Sequence, residues 1–346
     1  MTEARKKTVN YLLAVLLALL CGGLLFLLCG YNPVEVYAAI VKGGLGGKNA
    51  IVTSLMQALP LMFMGLAYII GVKAGMINIG TEGQLYAGAM VAAVLAPKLT
   101  ALPGFLGLLL TLMAAICTGG ACGMLIAWLK TRFGANEIIT AIMLNSIIQN
   151  ITSYLANGPL KVDGAVAQTE RLPEKFELPE LIASPSLSSG LLIVLALSLA
   201  IYLFFRNTKT GYQMRVLGQN RNAAQTAGIS TKTRMLQAMF LSGAVAGLAG
   251  AVLVTGVNHR FIDGFSSGYG WDGIAVASLG GLHVLGNIAS SLLFGVFLAG
   301  AMAVNRQANI PYDFIRIIEA VIVLAMACPQ LYQSLKISMR KGKREG

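Results

Sequence analysis

The chain has 346 residues, of which 56% are apolar and 12% charged, with a formal net charge of +12 and a mean hydropathy of +0.72. That charged share is about half the usual one for a soluble domain, so the composition excludes a soluble protein and points to a membrane protein. The 26 Lys and Arg residues collect at segment ends and termini, where they set topology and meet anionic lipid, and no nucleic-acid partner is expected.

With about 20 residues per pass, the apolar segments are expected in this order. Val9 to Gly30 follows Arg5-Lys6-Lys7 and is too long for a signal peptide, so a retained first helix is expected. Ile51 to Val72 and Gly75 to Ala96 are separated by a Gly-Val-Lys-Ala turn. Leu102 to Leu129 ends at Lys130 and Arg132, and Glu137 to Ala156 comes next. A polar loop, 157–189, carries Lys161, Asp163, Glu170, Arg171, Glu174, Lys175, Glu177 and Glu180, is net acidic and is expected outside the cell. Gly190 to Phe205 and Leu236 to Val257 flank a loop, 206–235, whose charges through Arg234 are Arg206, Lys209, Arg215, Arg221, Lys232 and Arg234. A loop so basic is cytoplasmic by the positive-inside rule. Trp271 to Val304 is too long for one straight pass and is interrupted by Gly280-Gly281-Leu282-His283-Val284-Leu285-Gly286. It divides into two short passes or a re-entrant hairpin plus a helix. Phe314 to Cys328 is last, before a basic tail. Ten passes place both termini and the basic loop in the cytoplasm. The expected fold is an all-α polytopic membrane protein of about ten transmembrane helices with broken or re-entrant segments, forming a single domain over 1–346.

Two segments carry polar groups whose burial needs a reason. Gly75-Met76-Ile77-Asn78-Ile79-Gly80-Thr81-Glu82-Gly83-Gln84 is costly against lipid and tolerable along a wet cavity or protein interior. As a helix it would put Asn78 and Glu82 on one face. Either it belongs to a substrate path through a discontinuous helix, or it is a cytoplasmic turn with ordinary helix-start chemistry. Asn145, Gln149, Thr152 and Ala156 form a polar stripe, suited to interhelical hydrogen bonds or to a pathway, and in either case facing protein or a cavity. Trp271-Asp272 could stack and hydrogen-bond a planar solute, although Trp at an interface is ordinarily an anchor. Asp313, Arg316 and Glu319 have the spacing of a local ion pair.

Catalytic and metal motifs are missing from the sequence. Gly43-Gly44-Leu45-Gly46-Gly47-Lys48-Asn49 approaches a phosphate loop, yet has Asn49 in place of the Mg²⁺-binding Ser or Thr and Lys42 in place of the first Gly. His259 and His283 are the only histidines, and neither HExxH nor GxSxG occurs. Cys21, Cys29, Cys117, Cys122 and Cys328 form no CxxC pair and read as packing residues.

Three ordered motifs carry a family resemblance. Asn78-Ile79-Gly80-Thr81-Glu82-Gly83-Gln84 resembles the N-I-G-x-E-G-Q signature of ABC permeases for nucleosides and related simple solutes. Leu217 to Ile229, followed by Leu241-Ser242-Gly243 through Gly250, and Trp271-Asp272-Gly273-Ile274-Ala275-Val276-Ala277 resemble further elements of that group, which includes branched-chain amino acid and ribose permeases. The resemblance implies a type II-like importer permease in a bacterial inner membrane. It also implies a second homologous permease subunit, a cytoplasmic ABC ATPase that uses ATP and Mg, and an extracytoplasmic solute-binding protein, with no cofactor bound by this chain. Asn222-Ala223-Ala224, three residues, then Gly228 is similar to the loop that docks on the ATPase, with Asn222 in place of its Glu. The coupling residues implied are Arg221, Asn222, Ala223, Ala224 and Gly228, and the pathway candidates are Asn78, Glu82 and Gln84, with Asn145, Gln149, Trp271 and Asp272 added from their spacing and position. A sugar or branched-chain amino acid permease, or an ion-coupled carrier using Glu82, are the alternatives to nucleoside import.

Overall fold

A backbone inside a bilayer must satisfy its own hydrogen bonds, so apolar runs of this length fold as helices. The computed structural model describes residues 20, 22–24, 26–28 and 30–308, and these are mostly helical. The helices are α1 (Pro33–Leu45), α2 (Lys48–Lys73), α3 (Thr81–Leu95), α4 (Gly104–Phe133), α5 (Glu137–Asn157), α6 (Gly190–Asn207), α7 (Lys209–Gln219), α8 (Arg221–Thr226), α9 (Thr231–Leu253), α10 (Tyr269–Leu279) and α11 (Val284–Ala308). Among the described residues a single antiparallel hairpin, β1 (Glu180–Ala183) with β2 (Ser186–Ser188), lies in the acidic loop. Among the described residues, α2, α4, α5, α6, α9 and α11 are long and apolar enough to cross a membrane.

Each expected segment within the described residues has a helical counterpart, with two revisions. The segment from Gly75 is not one continuous helix: 76–79 is non-helical, and α3 begins only at Thr81. At 15 residues α3 is about 22 Å long, short of a ~30 Å hydrocarbon core. Trp271 to Val304 breaks at Gly280, and the 11-residue α10 is too short to cross, which fits a re-entrant half-helix followed by a full helix. Phe314 to Cys328, the tail, and the Asp313, Arg316 and Glu319 trio lie outside the described residues, as does most of Val9 to Gly30.

The chain divides into two compact units, one of them Leu55–Leu293 and the other Met1–Ser54 with Phe294–Gly346. In the described part of the second, α1 was not expected from the sequence. It is started by Asn32, whose Oδ1 accepts the Val34 N–H at 3.1 Å, with Pro33 in the first turn. The glycines of the phosphate-loop look-alike have a packing role here. A Cβ at Gly43 would stand 2.4 Å from the Ala303 Cβ, and one at Gly44 2.5 Å from the Val296 carbonyl oxygen.

The first unit is built around α9. Its sequence repeats Gly243-x-x-x-Gly247, and α4 repeats Gly119-x-x-x-Gly123, the small-residue spacing that lets two helices approach backbone to backbone. A Cβ at Gly243 would lie 2.2 Å from the Gly119 carbonyl oxygen, and one at Gly88 of α3 would lie 2.2 Å from that of Gly247. The helices α2 and α9 are mostly buried, whereas α4, α5 and α6 present Leu109, Met113, Met143, Ile147, Leu195 and Leu199 outward, as lipid-facing helices do. The acidic loop closes one end of this unit. Thr169 N–H donates to Phe261 O at 2.9 Å, Leu178 N–H donates to Thr255 O at 2.8 Å, and the Phe176 ring is buried against Gly107.

Gly243→Val should push α4 from α9 at a cost of about 2 kcal/mol or more. A fall of several degrees in the thermal unfolding temperature of the detergent-solubilised protein is expected. An unchanged melting curve would show that this backbone contact is not what holds the three helices together.

Candidate translocation site

The break between α2 and α3 is made by identifiable residues. Gly75, at φ +71°, ends α2 in a Schellman motif: Met76 N–H donates to Gly71 O and Gly75 N–H to Val72 O, both at 3.0 Å. The chain then runs non-helically to Gly80. Asn78 is fully buried there, and its side-chain amide pairs with that of Gln84 through contacts of 2.9 and 3.2 Å. Its Oδ1 also accepts the Gly80 N–H at 3.0 Å, and its Nδ2 reaches the Ser242 Oγ at 2.8 Å. Ser242 in turn donates to the Ala67 carbonyl at 2.6 Å. The segment is thereby tied to α2, α3 and α9 together.

Asn145 of α5 holds the break from the other side. Its Oδ1 accepts the Gly83 N–H at 2.8 Å, and its Nδ2 donates to the Ile79 carbonyl at 2.9 Å. Gly83 permits that approach, since a Cβ there would stand 2.7 Å from the Asn145 Oδ1. The polar stripe of α5 faces inward as expected: Asn145, Thr152 and Ala156 are buried and Gln149 half-buried.

Glu82 joins two helix beginnings. It lies in the first turn of α3, and its Oε2 accepts the N–H of Gly270, in the first turn of α10, at 2.6 Å. A carboxylate against free N–H groups at a helix start is favourable both as a charge-assisted hydrogen bond and through the helix dipole. Thr81 Oγ1 donates to Gly270 O at 3.5 Å in the same contact. A Cβ at residue 270 would lie 2.8 Å from the carboxylate, so the site requires glycine there.

Four of the expected pathway residues, Asn78, Glu82, Gln84 and Asn145, thus converge on one break. The expectation that Asn78 and Glu82 share a helix face is corrected, because Gly75 terminates α2 and leaves Asn78 outside both helices. Trp271 and Asp272 follow Gly270 in α10, Trp271 half-exposed and Asp272 partly buried. Sequence reasoning missed an aromatic cluster one turn beyond Glu82. The Tyr86 ring lies 4.9 Å from Phe265 and 6.1 Å from Phe261, with those two 5.4 Å apart. Its signal was Tyr86, four residues after Glu82 in a run of small residues.

The basic loop folds as α7 and α8. Asn220 caps α8 by accepting the Ala223 N–H at 3.0 Å. A second Schellman motif ends α8, with Ile229 N–H to Ala224 O and Gly228 N–H to Gln225 O at 2.9 Å and Gly228 at φ +72°. Arg221, Asn222, Ala223 and Gly228 are exposed. Ala224 is fully buried and therefore serves as an anchor, not as part of the outward face. The core around Ala224 contains Leu217, Ile229 and Met235 and also Met76, the first residue of the break. Gly218 of α7 rests against the end of α2, where a Cβ would be 2.4 Å from the Lys73 carbonyl oxygen.

Residues 50–327 match the family model described as branched-chain amino acid transport system / permease component. The chain is 30% identical to the glucose ABC transporter permease protein TsgB13 of Haloferax volcanii, over 96% of this chain and 90% of that protein. It is 31% identical to the guanosine ABC transporter permease protein NupP of Bacillus subtilis, over 97% and 96%. Identity to the nucleoside ABC transporter permease protein NupB of Lactococcus lactis is 28%, over 94% and 92%. With six apolar helices among the described residues, a broken-helix centre and this breadth of similarity, the chain belongs to the family of branched-chain amino acid transport system permease components and is a multi-pass ABC transporter permease.

Proposed function

We propose that this chain is the translocation subunit of an ATP-driven importer of nucleosides. It would pair with a second permease subunit, receive solute from an extracytoplasmic binding protein and dock a cytoplasmic ATPase through α8. The carrying observation is the shared core of Ala224 and Met76, which ties the exposed α8 to the first residue of the broken helix. A push on α8 is then delivered to the break without crossing a loose loop. The basic bias of 206–234 supports placing α8 in the cytoplasm.

Asn78, Gln84 and Asn145 act as joints in this reading, holding an unwound segment whose backbone would otherwise be unpaired. Glu82 locks α3 to α10, and its release is the step that lets the half-helices part. A nucleoside is uncharged, with hydroxyls and a planar base, and suits a polar break beside aromatic rings. The relatives named for guanosine and nucleosides support that solute, while the one named for glucose makes sugar import the second reading.

Uptake of radiolabelled uridine and guanosine into vesicles, with the partner subunits co-expressed, tests the solute. ATP-dependent uptake insensitive to protonophores is expected. Entry of glucose but not nucleosides would replace the solute and keep the mechanism. Uptake that ignores ATP and collapses with the proton gradient would mean an ion-coupled carrier. Glu82→Ala removes a buried charge-assisted hydrogen bond, about 2 kcal/mol, and should lower uptake roughly thirtyfold while the ATPase still binds; normal uptake would contradict the lock. Gly228→Pro cannot adopt φ +72° and loses the N–H bonded to Gln225, so ATP hydrolysis should persist while uptake is lost. Coupled transport in that variant would show that α8 is not the docking helix.

A further inference from the structure

A cavity of about 230 Å³ opens where the ends of α2 and α6 meet α7 and the α10–α11 break. Its polar lining is basic: Lys73, Arg206, Arg215 and His283, beside the rings of Tyr202 and Phe205. Among the described residues no carboxylate lines it, and none of Lys73, Arg206 and Arg215 forms an ion pair. The groups are held in place without one. Arg206 Nη1 donates to the Tyr202 hydroxyl at 2.9 Å and stands 5.9 Å from its ring centre, and the His283 ring meets that of Tyr202 at 6.0 Å. The Arg215 Nε is buried with no hydrogen-bond partner among the described residues. The Arg215 guanidinium also stands 6.0 Å from the Tyr212 ring centre, and a buried N–H left without an acceptor is costly unless a ligand supplies one.

The geometry points to a binding site for the phosphate group of an anionic phospholipid. Guanidinium groups match phosphate oxygens in a bidentate way, and basic pockets between membrane helices suit lipid head groups. The membrane source follows from α6. Leu199, Tyr202, Leu203 and Arg206 have the spacing of one helix face, and Leu199 and Leu203 are exposed. Leu285, next to the cavity residue Val284, is exposed as well. Acyl chains lying along these leucines would bring a head group to Arg206 and Arg215. A lipid there would brace the end of α2, the helix that closes on Gly75, and the site is independent of which solute is carried.

The test uses the intact complex, delipidated in neutral detergent and titrated with phosphatidylglycerol, phosphatidylcholine or inorganic phosphate. Thermal stabilisation by phosphatidylglycerol and not phosphatidylcholine is expected. Its apparent affinity should weaken roughly tenfold or more in an Arg206→Gln, Arg215→Gln double variant and hold in Lys232→Gln, an exposed basic residue outside the cavity. Equal stabilisation in the double variant and wild type, or by both lipids, would overturn the site. The same stabilisation from inorganic phosphate alone would overturn the lipid assignment. Should the double variant not fold, native mass spectrometry of the wild-type complex decides: preferential retention of phosphatidylglycerol over phosphatidylcholine supports the site, and no preference overturns it.

Discussion

Where an unwound backbone is buried in a membrane protein it must find its partners in the protein, and satisfying it is the constraint on which this structure rests. The chain stops being helical at Gly75 and resumes at Thr81, and side chains meet the Ile79 carbonyl and the N–H groups of Gly80 and Gly83. Asn145 supplies an acceptor to Gly83 and a donor to Ile79. Asn78 turns back on Gly80 and Gln84 and out to Ser242. Removing the Asn78 or Asn145 amide would leave these buried backbone groups unpaired at about 1–3 kcal/mol each. This need explains why amides, which offer a donor and an acceptor on one side chain, occupy these positions.

The same constraint gives the glycines their places. An amide can reach the backbone only if the helices are close, and Gly83 and Gly270 are where α5 and the Glu82 carboxylate come near. Further along, the Gly119/Gly123 and Gly243/Gly247 repeats bring α4 and α9 to backbone contact, so that α3 is gripped on several sides. A rigid surround is what makes a break useful.

Much of this was legible in the sequence, and the parts that were not have physical reasons. Membrane spans announce themselves by length and apolarity, so α2, α4, α5, α6 and α9 fell near their expected places. The break at Gly280 was visible because two adjacent glycines interrupt an apolar run too long for one pass. α1 was missed because Lys42 and its two glycines hide the end of a 13-residue helix, where Gly43 and Gly44 pack against α11. Asn78 was put on a helix face with Glu82 because spacing alone cannot say that Gly75 takes a left-handed conformation. Ala224 was read as part of a docking face, and only its burial beside Met76 reveals the anchor. The Tyr86, Phe261 and Phe265 cluster joins residues 175 or more positions apart or lying in a loop, where periodicity carries no information.

The central claim is mechanical: α8 and the break move as one because Ala224 and Met76 share a core. The most direct measurement is the maleimide labelling rate of Ile77→Cys, an exposed position inside the break, in the assembled complex with and without a non-hydrolysable ATP analogue. The account predicts that nucleotide changes the rate severalfold when the 221–228 segment is native, and leaves it unchanged in Gly228→Pro. A rate that ignores nucleotide in the native complex, or responds equally in both, would contradict it.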